Sequence, residues 1–233
     1  MPLVYNNTMV TLYRQPFSAR FIDRPNRFVA RVQADGQELV CHVKNTGRCR
    51  ELLLPGAQVV VAPAGNPLRK TGYDLVAVYK GDMLVNIDSQ APNTAAYAWL
   101  KERYPSALVR REASFGDSRL DFYVEAPGLS LYVEAKGCTL EEDGLALFPD
   151  APTQRGVKHL KTLMDCAAQG HQAMALFVIQ MKPVRAFSPH DAMHPQFGDA
   201  LRQAARSGVQ VLAYDCRVGM DGMEIDAPVP VIL

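Results

Sequence analysis

No stretch of this 233-residue chain stays apolar for the roughly 18 residues a membrane-spanning helix needs, which excludes a helical membrane protein. The first residues, MPLVYNNTMV, also lack the basic start and long apolar core of a secretory signal, so a cytoplasmic location is expected. Cysteine is sparse. Cys41, Cys49, Cys138, Cys166 and Cys216 are odd in number and scattered, without the paired spacing of a zinc site or a disulfide framework, and they read as reduced thiols. Net charge is nearly absent too, with 25 Lys and Arg against 24 Asp and Glu. Spread evenly, that balance would argue against a polyanionic partner.

The charge is not spread evenly. Residues 1–92 hold 11 basic against 7 acidic residues, and residues 93–233 hold 14 against 17. Within the first 50 the count is 8 against 3. A basic amino-terminal half joined to a more acidic one suits a protein that holds a polyanion on one side and works on it at the other.

That basic half reads as six short strands, at 17–23, 28–33, 38–43, 58–62, 75–79 and 83–87. Turn compositions such as Arg24-Pro25-Asn26, Asp35-Gly36 and Pro55-Gly56 separate them. Closely spaced strands of this kind predict a small closed barrel such as an OB-fold, over residues 1–88. Lys44, Asn45, Arg48 and Arg50 surround a turn in it, and Arg27, Arg31 and Lys70 add charge nearby. These are candidate phosphate contacts, although basic turn residues also occur simply as solvated ones. A helix at 94–103, within a connector spanning 89–107, leads to the second half. Its Trp99 reads as a packing residue rather than a base-stacking one.

Residues 108–233 alternate between strand and helix: strands at 108–115, 173–181 and 209–215, and helices at 153–169 and 195–207. This is the pattern of an α/β domain. Two further strands, 119–125 and 130–136, flank the turn Ala126-Pro127-Gly128-Leu129 and form a hairpin. If that turn is symmetric, paired residue numbers sum to 255, and Asp121 faces Glu134 with Lys136 two residues beyond on the same face. Two opposed carboxylates repel unless a cation lies between them. Their hard oxygens favour Mg²⁺ or Mn²⁺, and Lys136 is placed to orient a water or neutralise phosphate charge. The competing reading of the same residues is a solvated strand face with a local ion pair, and a one-residue bulge would separate the carboxylates. On the helix at 153–169, Arg155 and His159 lie four apart, hence one above the other. They either face this site and grip phosphate or lie on a solvated face.

Strand, hairpin with Asp121 and Glu134-Ala135-Lys136, helix, strand resembles the PD-(D/E)xK nuclease core. More specific residues surround it: Ser118-Arg119-Leu120-Asp121-Phe122, Thr139-Leu140, the run from Phe148 to Leu160, and Asn45-Thr46-Gly47 upstream. Together they resemble the sugar fermentation stimulation protein A family over nearly the whole chain. The resemblance implies an α+β two-domain fold, with an amino-terminal OB-fold-like β-barrel and a carboxy-terminal α/β PD-(D/E)xK nuclease-like domain. It also implies DNA as partner, with weak sequence preference. Asp121, Glu134 and Lys136 match the catalytic set, and Asp121 and Glu134 match the metal carboxylates. Glu112 is a further candidate ligand, and Arg119 joins the candidate DNA contacts. Two functions follow: a Mg²⁺- or Mn²⁺-dependent DNA phosphodiesterase, or a non-catalytic DNA-binding regulator of sugar metabolism. A protein-binding barrel fits the near-neutral total charge but leaves the hairpin unexplained.

Overall fold

The computed structural model describes residues 9–45, 47, 49–66 and 68–233. Six strands make up its first half: β1 (Phe17–Asn26), β2 (Val29–Ala34), β3 (Gln37–Val43), β4 (Gln58–Pro63), β5 (Tyr73–Lys80) and β6 (Met83–Asn86). They pair in the order β3-β2-β1-β4-β5-β6, and a parallel pairing of β3 with β5 closes the first five into a barrel. The run Val59-Val60-Val61-Ala62 does not alternate with polar residues, because both faces of β4 are covered. Val59 and Val61 fill the barrel, while Val60 and Ala62 pack outside it with Tyr13, Val76 and Ala77.

The second half opens with α1 (Ala91–Arg103), three residues earlier than expected, because Pro92 in the first turn starts a helix rather than preventing one. Then follow β7 (Leu108–Phe115), β8 (Ser118–Ala126), β9 (Leu129–Cys138), β10 (Leu140–Glu142), β11 (Leu145–Phe148) and α2 (Gln154–Ala168). The chain continues through β12 (Gln172–Ile179), β13 (Ala186–Pro189), α3 (Pro195–Arg206), β14 (Gln210–Val218) and β15 (Met223–Val229). A mixed sheet runs β15-β14-β12-β9-β8-β7, with β12 parallel to both β9 and β14. Strand β12 lies at its centre and is buried on both faces, hence its continuous apolar sequence. Four short elements were not anticipated: β10, β11 and β13, which form a separate three-stranded sheet, and the edge strand β15. Among the described residues no helix is long and apolar enough to cross a membrane.

Helix α1 covers one face of the six-stranded sheet, burying Ala95, Ala96, Trp99 and Leu100 with Phe122, Val133 and Met174. Trp99 packs against Tyr214, with ring centroids 5.1 Å apart. Helices α2 and α3 cover the other face. Thr153 caps α2 by accepting from the Gly156 N–H at 3.0 Å, and Gly170 ends it at a φ of +87° that only glycine adopts readily. On this side one apolar cluster runs from the barrel interior (Val32, Val59, Leu75) into the sheet and helices (Leu163, Phe177, Phe197). Barrel and sheet thus share a core.

A polar clamp seals the junction. The Gln180 side chain donates to Asn86 Oδ1 and to the carbonyls of Asn86 and Asp88, while the Gln180 carbonyl accepts from the Asn86 N–H. Gly137 lies directly beneath it, where an added Cβ would fall 2.6 Å from Pro92 Cγ and onto Gln180 Oε1. Gly137→Ala is therefore expected to cost about 1–3 kcal/mol in urea denaturation. Gly65→Ala, where the added methyl meets nothing within 4 Å, is expected to stay within about 0.5 kcal/mol of wild type.

Candidate functional site

The hairpin forms with the expected register. Its rungs run from Ala126 opposite Leu129 to Phe122 opposite Val133, every pair summing to 255. The ladder then stops one pair short of Asp121 and Glu134. Strand β8 turns at this point, since Leu120 packs in the core beneath α2 whereas Phe122 packs beneath α1. The Asp121 carboxylate takes the place of the missing rung: Oδ2 accepts from the Ala135 N–H at 2.9 Å, and Oδ1 from Asn93 Nδ2 of α1 at 2.9 Å. The two carboxylates therefore meet at a split between strands rather than across a regular ladder.

Glu134 is reached from the other side of the sheet. Its side chain is buried, and Oε1 accepts hydrogen bonds from both Lys136 Nζ and His159 Nδ1. Arg155 Nε donates to His159 Nε2 at 3.3 Å. An arginine has no acceptor to offer, so this bond assigns the His159 proton to Nδ1 and makes the ring a donor to Glu134. The other oxygen, Glu134 Oε2, is buried with no hydrogen-bond partner among the described residues. A chain of Arg155, His159, Glu134 and Lys136 thus ends in one unsatisfied carboxylate oxygen beside Asp121.

The two carboxyl groups are driven in opposite directions. Burial, reinforced by the Glu134 charge, raises the Asp121 pKa above the ordinary aspartate value. Burial also pushes Glu134 upward, but the His159 hydrogen bond and the Lys136 charge outweigh it and leave its pKa lowered. Such a divergence of two adjacent acids is common where a site must bind charge or move protons.

The other residues read from the sequence fall into two groups. Glu112 lies opposite Asp121, between the rungs Arg111–Phe122 and Ala113–Leu120, in left-handed backbone at a φ of +55°. Its side chain is exposed and pairs with Arg119 at 3.4 Å. His159 does not lie on a solvated helix face but faces inward, and exposed Arg155 follows the helix N-terminus. On the barrel, Arg31 is tied to Asp23 and Glu38, and Lys44 to Asp74 at 3.1 Å and Asp88 at 3.3 Å. Asn45 donates to the Ile87 carbonyl and accepts from the Gly47 N–H. Lys44 and Asn45 thus tie the barrel together, while Arg31 stays partly exposed with its charge paired. Arg27, Arg50 and Lys70 are exposed, and Arg48 lies outside the described residues.

Two site residues escaped the sequence reading. Asn93 fell in the connector just ahead of the expected helix, and Gln180 at the tail of a strand. Their partners lie 28 and 94 residues away, and no local pattern encodes such contacts.

His159→Ala is expected to lower the unfolding free energy by about 1–3 kcal/mol at neutral pH, because Glu134 keeps its charge and loses a buried donor. The depressed pKa of Glu134 means its stabilisation is present above the ordinary glutamate value of 4.5 and is lost as pH falls through the folded value. The deficit of the variant should accordingly shrink in that acid window, as followed by urea titration at a series of pH values.

Comparison with known proteins agrees with this architecture. Residues 90–222 match the family described as the sugar fermentation stimulation protein RE domain, and residues 22–87 match the SfsA N-terminal OB domain. A sugar fermentation stimulation protein homolog of Desulfitobacterium hafniense (strain Y51) is 52% identical over 207 residues, 88% of this chain and 91% of that protein. The homolog of Clostridium beijerinckii is 47% identical over 224 residues, 95% of this chain and 99% of that one. Among solved structures, Pyrococcus furiosus SfsA in complex with Ca²⁺ superposes with a TM-score of 0.86 at 26% identity, covering 97% of this chain and 100% of its own. The chain belongs to the sugar fermentation stimulation protein family.

Proposed function

We propose that this protein binds DNA and hydrolyses its phosphodiester bonds with the help of a divalent cation held by Asp121 and Glu134, in the manner of a PD-(D/E)xK nuclease. The observation that carries the reading is the buried, unpartnered Oε2 of Glu134 next to a second carboxylate whose pKa is raised. A hard cation fits this all-oxygen donor pair and would relieve both costs at once. Among the described residues no cluster of three or more His, Cys, Asp or Glu is present, so solvent or substrate oxygens would complete the shell. That the Pyrococcus furiosus relative is a Ca²⁺ complex supports an oxygen-seeking ion, with Mg²⁺ or Mn²⁺ the choice for catalysis.

When bound, the cation supplies Lewis-acid polarisation of a phosphoryl oxygen and acidifies a water. The chain's own residues do the rest. His159 and Lys136 fix Oε1 of Glu134 and so aim Oε2 at the site. The Lys136 ammonium has further N–H groups beyond the one on Glu134, and these orient the attacking water and offset charge on the phosphate. Water adds to phosphorus and loses a proton to solvent, while the ester P–O bond breaks and the leaving sugar oxygen takes a proton from solvent, giving a phosphate monoester and a hydroxyl end.

One observation favours the second reading, a regulator of sugar metabolism that binds DNA without cutting it. Both Asp121 oxygens already accept hydrogen bonds, from Asn93 and Ala135. Incubation of the protein with supercoiled plasmid and single-stranded DNA in Mg²⁺, Mn²⁺, Ca²⁺ or EDTA separates the two. Cleavage is expected in Mg²⁺ or Mn²⁺ and should fall by about a hundredfold or more in Asp121→Ala and Lys136→Ala. DNA binding without cleavage in any of these ions would leave the regulator.

The cation also makes a stability prediction. Mn²⁺ should raise the melting temperature of wild type but not of Asp121→Ala. Protons compete for a carboxylate of raised pKa, so the gain should fade toward acid starting above the ordinary aspartate value of 3.8. Thermal melts with and without Mn²⁺ at several pH values would show it.

A further inference from the structure

Phe28 is the one aromatic among the large apolar side chains exposed on this protein within the described residues, at 45% of its surface. It stands at the turn between β1 and β2, and the turn is pinned. The Phe28 N–H donates to Asn26 Oδ1 at 2.9 Å, its carbonyl accepts from Val43, and Arg24 donates to the Arg27 carbonyl at 2.6 Å. The ring is held in a fixed plane. It stacks on the His42 imidazole at 13° between planes with centroids 6.5 Å apart, and the Arg27 guanidinium lies 4.8 Å from its centroid. Beside it a pocket of about 260 Å³ is lined by Arg24, Asn26, Arg27, Arg50 and Leu53. Neither Arg27 nor Arg50 forms an ion pair among the described residues, in contrast to Arg31 and Lys44. A half-exposed ring beneath one guanidinium, beside a pocket lined by two more, has little use in folding, since it leaves apolar surface in water.

Resting on the reading that the partner is nucleic acid, we propose that Phe28, backed by His42, is a stacking subsite for an unpaired base of a single strand. Arg27 and Arg50 take the flanking phosphates. A duplex hides the faces of its bases, whereas a single strand offers each of them, and the basic pocket matches its backbone charge. The guanidinium of Arg27 now occupies the ring face that a base would cover; it is the group a base displaces toward phosphate. The turn that carries the subsite is tied to the second half of the chain: Arg24 holds the carbonyls of Arg27, Asn45 and Gly47, and Gly47 lies against the Asp150 carboxylate, four residues before α2 begins.

The test is fluorescence anisotropy in EDTA, so that no strand is cut, using a labelled single-stranded oligonucleotide, the same backbone with abasic sites, and the matching duplex. Wild type should bind the base-bearing strand more tightly than the abasic one. Phe28→Ala should weaken the base-bearing strand by about 5- to 100-fold, leave the abasic one unchanged, and be rescued by Phe28→Tyr. Phe28→Trp adds an exposed indole to the single, buried Trp99, and its emission should be quenched by the base-bearing strand but not by the abasic one. Equal wild-type affinity for base-bearing and abasic strands, or unchanged affinity in Phe28→Ala, would overturn the subsite while leaving DNA binding standing. Absence of binding to strand and duplex alike would overturn both readings. Unchanged melting of Phe28→Ala, expected of an exposed side chain, excludes misfolding as the cause of a loss.

Discussion

The structure of the second half is organised around the burial of a single carboxylate, Glu134. A charge removed from water needs donors, and the chain provides them from two elements: Lys136 two residues further along β9, and His159 from the helix packed above. The inward face of α2 follows from this requirement. Leu160, Leu163 and Cys166 set the helix on the sheet, and Thr153 fixes where it begins. That rotation brings His159 over β9 with Arg155 one turn before it. Strand β8 responds on the opposite side: it abandons the ladder at Asp121, whose carboxylate then takes the Ala135 N–H that the strand no longer pairs. Glu112 in turn adopts left-handed backbone opposite the same point.

The barrel contributes by being inseparable from this arrangement. It shares its apolar core with the α2 side of the sheet, and the Gln180 clamp ties β6 to the end of β12 just beyond the site. Its cations divide according to where acids are found. Lys44 and Arg69 converge on buried Asp74, and Arg31 meets Asp23 and Glu38 at the surface, so all three already have acidic partners. Arg27, at the β1–β2 turn, and Arg50 are exposed and form no ion pair among the described residues. A count of basic residues in the sequence therefore overstates the number of cations left exposed on the barrel surface.

How much could be read from the chain depended on whether the determinant was local. The barrel strands and the β8–β9 hairpin were legible because Pro, Gly and Asn mark each turn and a symmetric turn fixes the register by arithmetic. Strands β10, β11 and β13 have three or four residues each, too few for a period of two to stand out. The direction of His159 was ambiguous, because an i, i+4 spacing defines a stripe but not what the stripe faces. The rupture of the ladder at Asp121 was invisible for a deeper reason. It accompanies the turn of β8 between Leu120 and Phe122 and the bond from Asn93 to Asp121, and both are tertiary.

The energetic character of the site bears on its purpose. Asp121 is pushed toward its protonated form, Glu134 keeps a buried oxygen with no donor, and Glu112 sits in a backbone region that disfavours side chains. Each of these costs stability, and a well-packed apolar substitute for a buried charged group is often neutral or more stable. Had this half served only as a scaffold for a DNA-binding barrel, a sheet without the two acids would have been the more stable solution. The strain also coincides in space: all three features meet within one rung of the same break between strands. A cation held there, as proposed, would give Oε2 its missing partner and offset the Glu134 repulsion that adds to burial in raising Asp121. The acid pair is thus a locally destabilised point in the sheet, tolerated because the surrounding core is shared with the barrel, and the proposed cation would be the group that relaxes it.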